Sequence, residues 1–120
     1  MTYFTGSVAA VPVANKQKYL EHVEAAWPLM RSYGATRMVE TWGVDVPEGK
    51  LTDLYRAVQA QEGEAIVFAW IEWPNKEVAD ASWEKMQQDP AMKTLPEMPF
   101  DGKRMVWGGF ELMFDSEAAK

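Results

Sequence analysis

The stretch VFAWIEWP, Val67 to Pro74, decides the fold of this chain. It is short, rich in β-formers and closed by a proline, so it reads as a strand. Alternation puts Phe68 and Trp70 on one face and Val67, Ala69, Ile71 and Trp73 on the other. Both faces are apolar, with one carboxylate, Glu72, on the Phe68/Trp70 side. A sheet with one wet face would alternate to polar, so the sequence asks for cover on both sides.

Working outward, residues 3–12, YFTGSVAAVP, read as a first strand. KQKYLEHVEAAWPLMRSYG follows as a helix, with Asn15 as its N-cap, Tyr19, Val23, Ala26, Trp27, Met30 and Tyr33 on one stripe, and Gly34 as its stop. Pro28 is expected to kink or divide it. ATRMVETWGVDVP is a second strand. Residues 52–60 are read as a short helix. Asn75 caps a further helix carrying Val78, Ala79, Ser82, Trp83 and Met86 on one stripe. Three prolines between 90 and 99 mark a loop, Asp101–Gly102 a turn, and KRMVWGGFELMFD the last strand, with a β-bulge at Gly108–Gly109. Residues 116–120 are expected to fray. The order is β-α-β-(short α)-β-α-β. This predicts an α+β, ferredoxin-like single domain over 1–120: a four-stranded antiparallel sheet with both long helices on one face.

Two helices cover one sheet face only. The other would expose five or six large side chains, forgoing on the order of 10 kcal/mol of burial, comparable to the whole stability of a domain. A second copy related by two-fold symmetry supplies the missing layer. The expectation is a homodimer with its sheets packed face to face.

Composition excludes several functions. The 120 residues carry a net charge of −6 and scattered basic residues, so no nucleic-acid partner is expected. No apolar run is long enough to span a bilayer, no basic amphipathic helix suggests a membrane surface, and the N-terminus does not read as a signal peptide. With no cysteine, a cytoplasmic setting fits. No His-x-x-His or similar spacing points to a metal, and no cofactor is implied.

The stretches WGVDVPEGKLTDLYRAV, VFAWIEWPNK and MPFDGKRMVWGGFE together resemble the YbaA-like family of small bacterial proteins, over about Tyr3 to Phe114. That family sits in the dimeric α+β barrel superfamily. The resemblance implies a ferredoxin-like fold and a face-to-face dimer, but no activity. The wider superfamily includes cofactor-independent monooxygenases, lactone isomerases and haem-handling enzymes that use the cleft between sheet and helices. Their catalytic residues do not map onto this chain by motif.

The residues themselves nominate a site. His22, the one histidine, is a candidate general base; the alternative is a half-buried structural histidine. Glu72, a carboxylate in an apolar strand, is a candidate proton shuttle or anchor unless an arginine (Arg37, Arg56 or Arg104) pairs with it. Glu40 and Glu111 are strand glutamates whose register the sequence leaves open. Trp42, Trp70, Trp73 and Trp107 are candidate walls of an aromatic pocket, or simply dimer core, and Arg56 and Arg104 candidate anion anchors. Two functions follow. One is a cofactor-free binder or enzyme for a small apolar or aromatic molecule in the cleft between sheet and helices. The other is a non-enzymatic homodimer, stress-related or scaffold, whose aromatic residues only pack.

Overall fold

The structure is a computed structural model and describes residues 1–118. Four strands, β1 (Tyr3–Pro12), β2 (Arg37–Trp42), β3 (Glu64–Trp73) and β4 (Val106–Glu111), alternate with helices α1 (Lys16–Ser32), α2 (Leu54–Ala57) and α3 (Lys76–Gln88). The sheet order is β2-β3-β1-β4, antiparallel throughout. This is the ferredoxin-like arrangement expected. Strand β3 sits inside the sheet, paired along both edges by β1 and β2.

Register separates the faces. Opposite residues share a side, so Tyr3, Thr5, Ser7, Ala9 and Val11 of β1 lie with Val67, Ala69, Ile71 and Trp73 of β3, Met38, Glu40 and Trp42 of β2, and Trp107 of β4. The long helices cover this side. Met30 from α1, Tyr33 just past its end and Ala79 from α3 pack on Trp73, which is 2% exposed and donates from Nε1 to Thr5 Oγ1 at 3.1 Å. A second cluster gathers Val11, Val67 and Ala69 under Tyr19, Trp42 and Phe100.

Local chemistry departs from expectation in several places, the first being that β2 ends at Trp42, well short of the expected Pro47. Helix α1 runs unbroken through Pro28, because Trp27, Leu29 and Met30 around it all pack in the core. Asn15 occupies the N-cap position, but its side chain makes no cap bond; Nδ2 donates to the Pro99 carbonyl at 2.8 Å and fastens the 90–100 loop. Asn75 does cap α3, accepting from Val78 N–H at 2.9 Å. No bulge occurs at Gly108–Gly109, whose register with Gly6 and Thr5 is continuous. A Cβ on Gly109 would lie 1.8 Å from the Tyr3 hydroxyl, so glycine is there to let that ring cross the strand. Strand β4 also ends at Glu111, short of the expected 115. The partner strand begins at Tyr3, and just past the strand's end Leu112 N–H reaches the Thr2 carbonyl at 3.1 Å. The expected fraying of 116–120 lies partly outside the described residues.

The helix-free face has cover at one end only. The β2–β3 connection folds back so that Val58, fully buried, seals Ile66 and Ala10, with Val46 and Tyr55 beside it. Asp53 caps α2 through Arg56 N–H, and Arg56 in turn donates to the carbonyls of Gly49 and Lys50. Beyond this strap the face stays open. Its rows run Phe110–Phe4–Glu72–Arg37, Gly108–Gly6–Trp70–Val39 and Val106–Val8–Phe68–Thr41. Gly6 and Gly108 form the floor of an apolar hollow of about 670 Å³.

One buried ion pair ties the last turn to the sheet. Arg104 grips Glu64 with two bonds of 2.7 Å and also reaches Asp101 at 3.2 Å. The arginine hydrogen bond holds the Glu64 carboxyl below the ordinary carboxylate range, against the opposing effect of burial. A depressed carboxylate stabilises the fold fully above its unfolded pKa, and that contribution is lost as pH falls through the lower folded value. Arg104→Met should therefore lower the urea midpoint most at neutral pH, with the gap to the parent closing below the ordinary carboxylate range. A gap that stays constant down to about pH 3 would contradict this role.

Candidate functional site

The chemistry-bearing hollow is a cleft of about 420 Å³ between α1 and the edge strand β2. Lys16, Gln17, Tyr19, Leu20 and Val23 line it from the helix, and Glu40, Thr41 and Trp42 from the strand. Helical spacing aims Tyr19 and Val23 down one stripe, and strand alternation aims Glu40 and Trp42 back at them. Phe100 holds the Tyr19 ring from behind, with centroids 5.6 Å apart.

Tyr19 donates its hydroxyl to Glu40 Oε1 at 2.5 Å. Burial raises the Glu40 carboxyl above its ordinary range, while the Tyr19 bond opposes the shift. Burial, then the Glu40 charge and hydrogen bond, push the Tyr19 phenol well above its usual value. Hence the phenol keeps its proton and Glu40 is the group that titrates. Among the described residues no ion pair involves Glu40. The Lys16 ammonium instead sits over the Trp42 indole, 5.2 Å from its centroid. The arrangement offers a desolvated carboxyl, an aromatic wall and an apolar flank from Leu20 and Val23.

The residues nominated by sequence lie in several places. His22 is on α1, where its Nδ1 is 2.9 Å from the Pro96 carbonyl oxygen. Glu72 is on the helix-free face, so the sheet stands between it and His22. Its Oε2 is buried without a hydrogen bond, 3.5 Å from Arg37 Nη1. Trp70 is on that same face, tilted against Phe68 at 5.8 Å. Trp107 is on the helix side of edge strand β4, tilted against Trp83 at 5.0 Å. Arg56 and Arg104 are engaged by the loop carbonyls and carboxylates described above. Trp73 is buried in the core beneath α1 and α3, so of the eight only Trp42 lines the α1/β2 cleft. Glu40, Glu111 and Glu72 do not meet: Glu40 and Glu111 lie on the helix side at opposite edges, and Glu72 on the other face. Alternation puts Glu40 on the same side as Met38 and Trp42; which side the helices cover, and which helix residue meets Glu40, the sequence left open.

Topology and cleft define a ferredoxin-like α+β protein with an open-sided cavity between helix and sheet. The chain belongs to the family described as "Protein of unknown function (DUF1428)", which it matches over residues 2–102. It is similar to the uncharacterized protein YbaA of Escherichia coli strain K12, with 53% identity over 116 residues, covering 96% of this chain and 99% of that one. The uncharacterized protein YbaA of Shigella flexneri matches with the same identity and coverage. The crystal structure of a putative PII-like signaling protein from Thermus thermophilus aligns over 92% of this chain and 86% of that one, at 14% identity and a TM-score of 0.33, a likeness too slight to build on. Among the described residues no helix is long and apolar enough to cross a membrane.

Proposed function

We propose that this chain works as a homodimer that binds a small apolar or aromatic molecule in the α1/β2 cleft without a cofactor. The observation carrying this is the Tyr19–Glu40 pair beside the Trp42 wall. A carboxyl removed from water without a cation beside it costs free energy, and perturbed groups in a cleft mark functional sites. A volume of about 420 Å³ suits a small ligand. Where turnover occurs, Glu40, rather than His22 or Glu72, handles the proton, because it alone of the three faces the cleft.

The dimer is supported by the open sheet face. Phe68 is 50% and Phe110 57% exposed, and Phe4, Val8, Trp70 and Val106 complete the patch. Arg37 and Glu72 form a polar rim at its end. Such a face, turned against its copy across a two-fold axis, becomes an apolar core with a charged margin. The same patch favours a second reading, a non-enzymatic dimer in which the aromatic residues serve only the interface.

Tryptophan fluorescence separates the two. Titration with neutral, acidic and basic single-ring aromatics should give a saturable change for at least one class, with a dissociation constant below about 1 mM. Trp42→Leu should weaken it at least about tenfold. If no class perturbs the wild-type signal, the non-enzymatic dimer stands instead.

A further inference from the structure

We propose that the α1/β2 cleft selects organic ammonium ions: the cation between the Glu40 carboxylate and the Trp42 indole, its apolar or aromatic body along Leu20 and Val23. This rests on the cleft being a ligand site, and adds the charge and class of the ligand.

Three observations converge on a cation. First, Glu40 is partly buried, spends Oε1 on a neutral phenol and has no basic partner within ion-pair distance among the described residues. Partly buried carboxylates are ordinarily compensated by a positive charge. Burial is the main cause that raises the Glu40 carboxyl, and a cation placed beside it would oppose that shift. Second, Trp42 already holds a cation, the Lys16 ammonium at 5.2 Å. The indole face therefore lies where a positive charge can reach it, and an aromatic face beside a carboxylate is how proteins hold ammonium groups. Third, the chain carries a net charge of −6, which raises the local concentration of cations.

Lys16 then acts as a competitor. It is exposed, at the first turn of α1, and forms no ion pair among the described residues. An arriving ammonium replaces it over the ring, and the lysine swings into solvent. The chemistry differs from that of an anion site. A ligand carboxylate would face Glu40 and gain only Lys16, which is free to leave.

Matched probes test this on the unmodified protein: phenethylammonium, 2-phenylethanol and phenylacetate share a ring and chain and differ in charge. Calorimetric titration should rank the ammonium at least about tenfold above the alcohol, with phenylacetate weakest. Glu40→Gln keeps an acceptor for the Tyr19 hydroxyl and should reduce that preference to within about twofold. Lys16→Met, which keeps the apolar stem, should tighten ammonium binding about threefold or more. Equal binding of the ammonium and the alcohol would overturn the cation assignment and leave the ligand cleft in place. Preference for phenylacetate, lost in Lys16→Met, would replace it with an anion site. Binding of none of the three, nor of the wider panel above, would remove the cleft reading and this inference together.

Discussion

Phe68→Asp is expected to convert a dimer of about twice the 13.6 kDa chain mass into a folded monomer. Phe68 lies in the middle of the open face, beside Val8 across the strand and against Trp70, and is half exposed in the single chain. Its loss costs the protomer little, because its outer surface has no neighbour there. In a two-fold dimer the change occurs twice and each copy buries a carboxylate in an apolar contact. At about 2 kcal/mol per copy, the dissociation constant rises roughly a thousandfold. Sedimentation at micromolar concentration reads the mass, and circular dichroism reports that the fold survives. Phe68→Leu should remain dimeric. A wild-type chain that sediments as a monomer, or a Phe68→Asp chain that still pairs, would sink the face-to-face dimer.

Trp73→Ala should cost about 3–5 kcal/mol, a large share of the stability of a domain this size. Trp73 ends β3 where α1 and α3 both descend on the sheet, touching the cluster of Met30, Tyr33, Ala35 and Ala79. Truncation leaves a cavity whose walls, on two helices and a sheet, cannot close together, and leaves Thr5 Oγ1 without its indole donor. Trp73→Phe keeps most of the volume and should cost less than half as much. Urea unfolding in the Phe68→Asp background measures both without dimer association shifting the baseline. A Trp73→Ala chain within about 1 kcal/mol of its parent would mean that the two helices are held to the sheet mainly by other contacts.

These two tryptophan and phenylalanine positions also show how much was legible in the sequence. The two-faced strand 67–73 placed Phe68 and Trp70 opposite Val67, Ala69, Ile71 and Trp73, and the register agrees residue for residue. Periodicity depends only on neighbours within the segment, so it survives folding unchanged. Element ends were less legible. The last strand looked longer than Val106–Glu111 because Leu112, Met113 and Phe114 continue its apolar character, yet β1 offers nothing past Tyr3 to pair with. The strap from the β2–β3 connection went unseen, since no local pattern says that Val58 returns to cover Ile66.

The candidate site was the least legible part. His22, Glu72, Arg56 and Arg104 stood out by residue type, but the partners that occupy them, Pro96, Arg37, Gly49 and Glu64, are distant or variable in sequence separation. Tyr19 and Glu40 are 21 residues apart, on different elements. The sequence alone determined the class of fold and the apolar character of both sheet faces, because each follows from backbone periodicity and side-chain type, but it left open which way Glu40 turns. Only the tertiary structure decided which tyrosine meets that carboxylate, which arginines are already taken and where the uncovered face begins. Those depend on the crossing of α1 over β2 and the return of a loop, and long-range geometry of that kind is set by the whole packed core, with no single stretch of chain recording it.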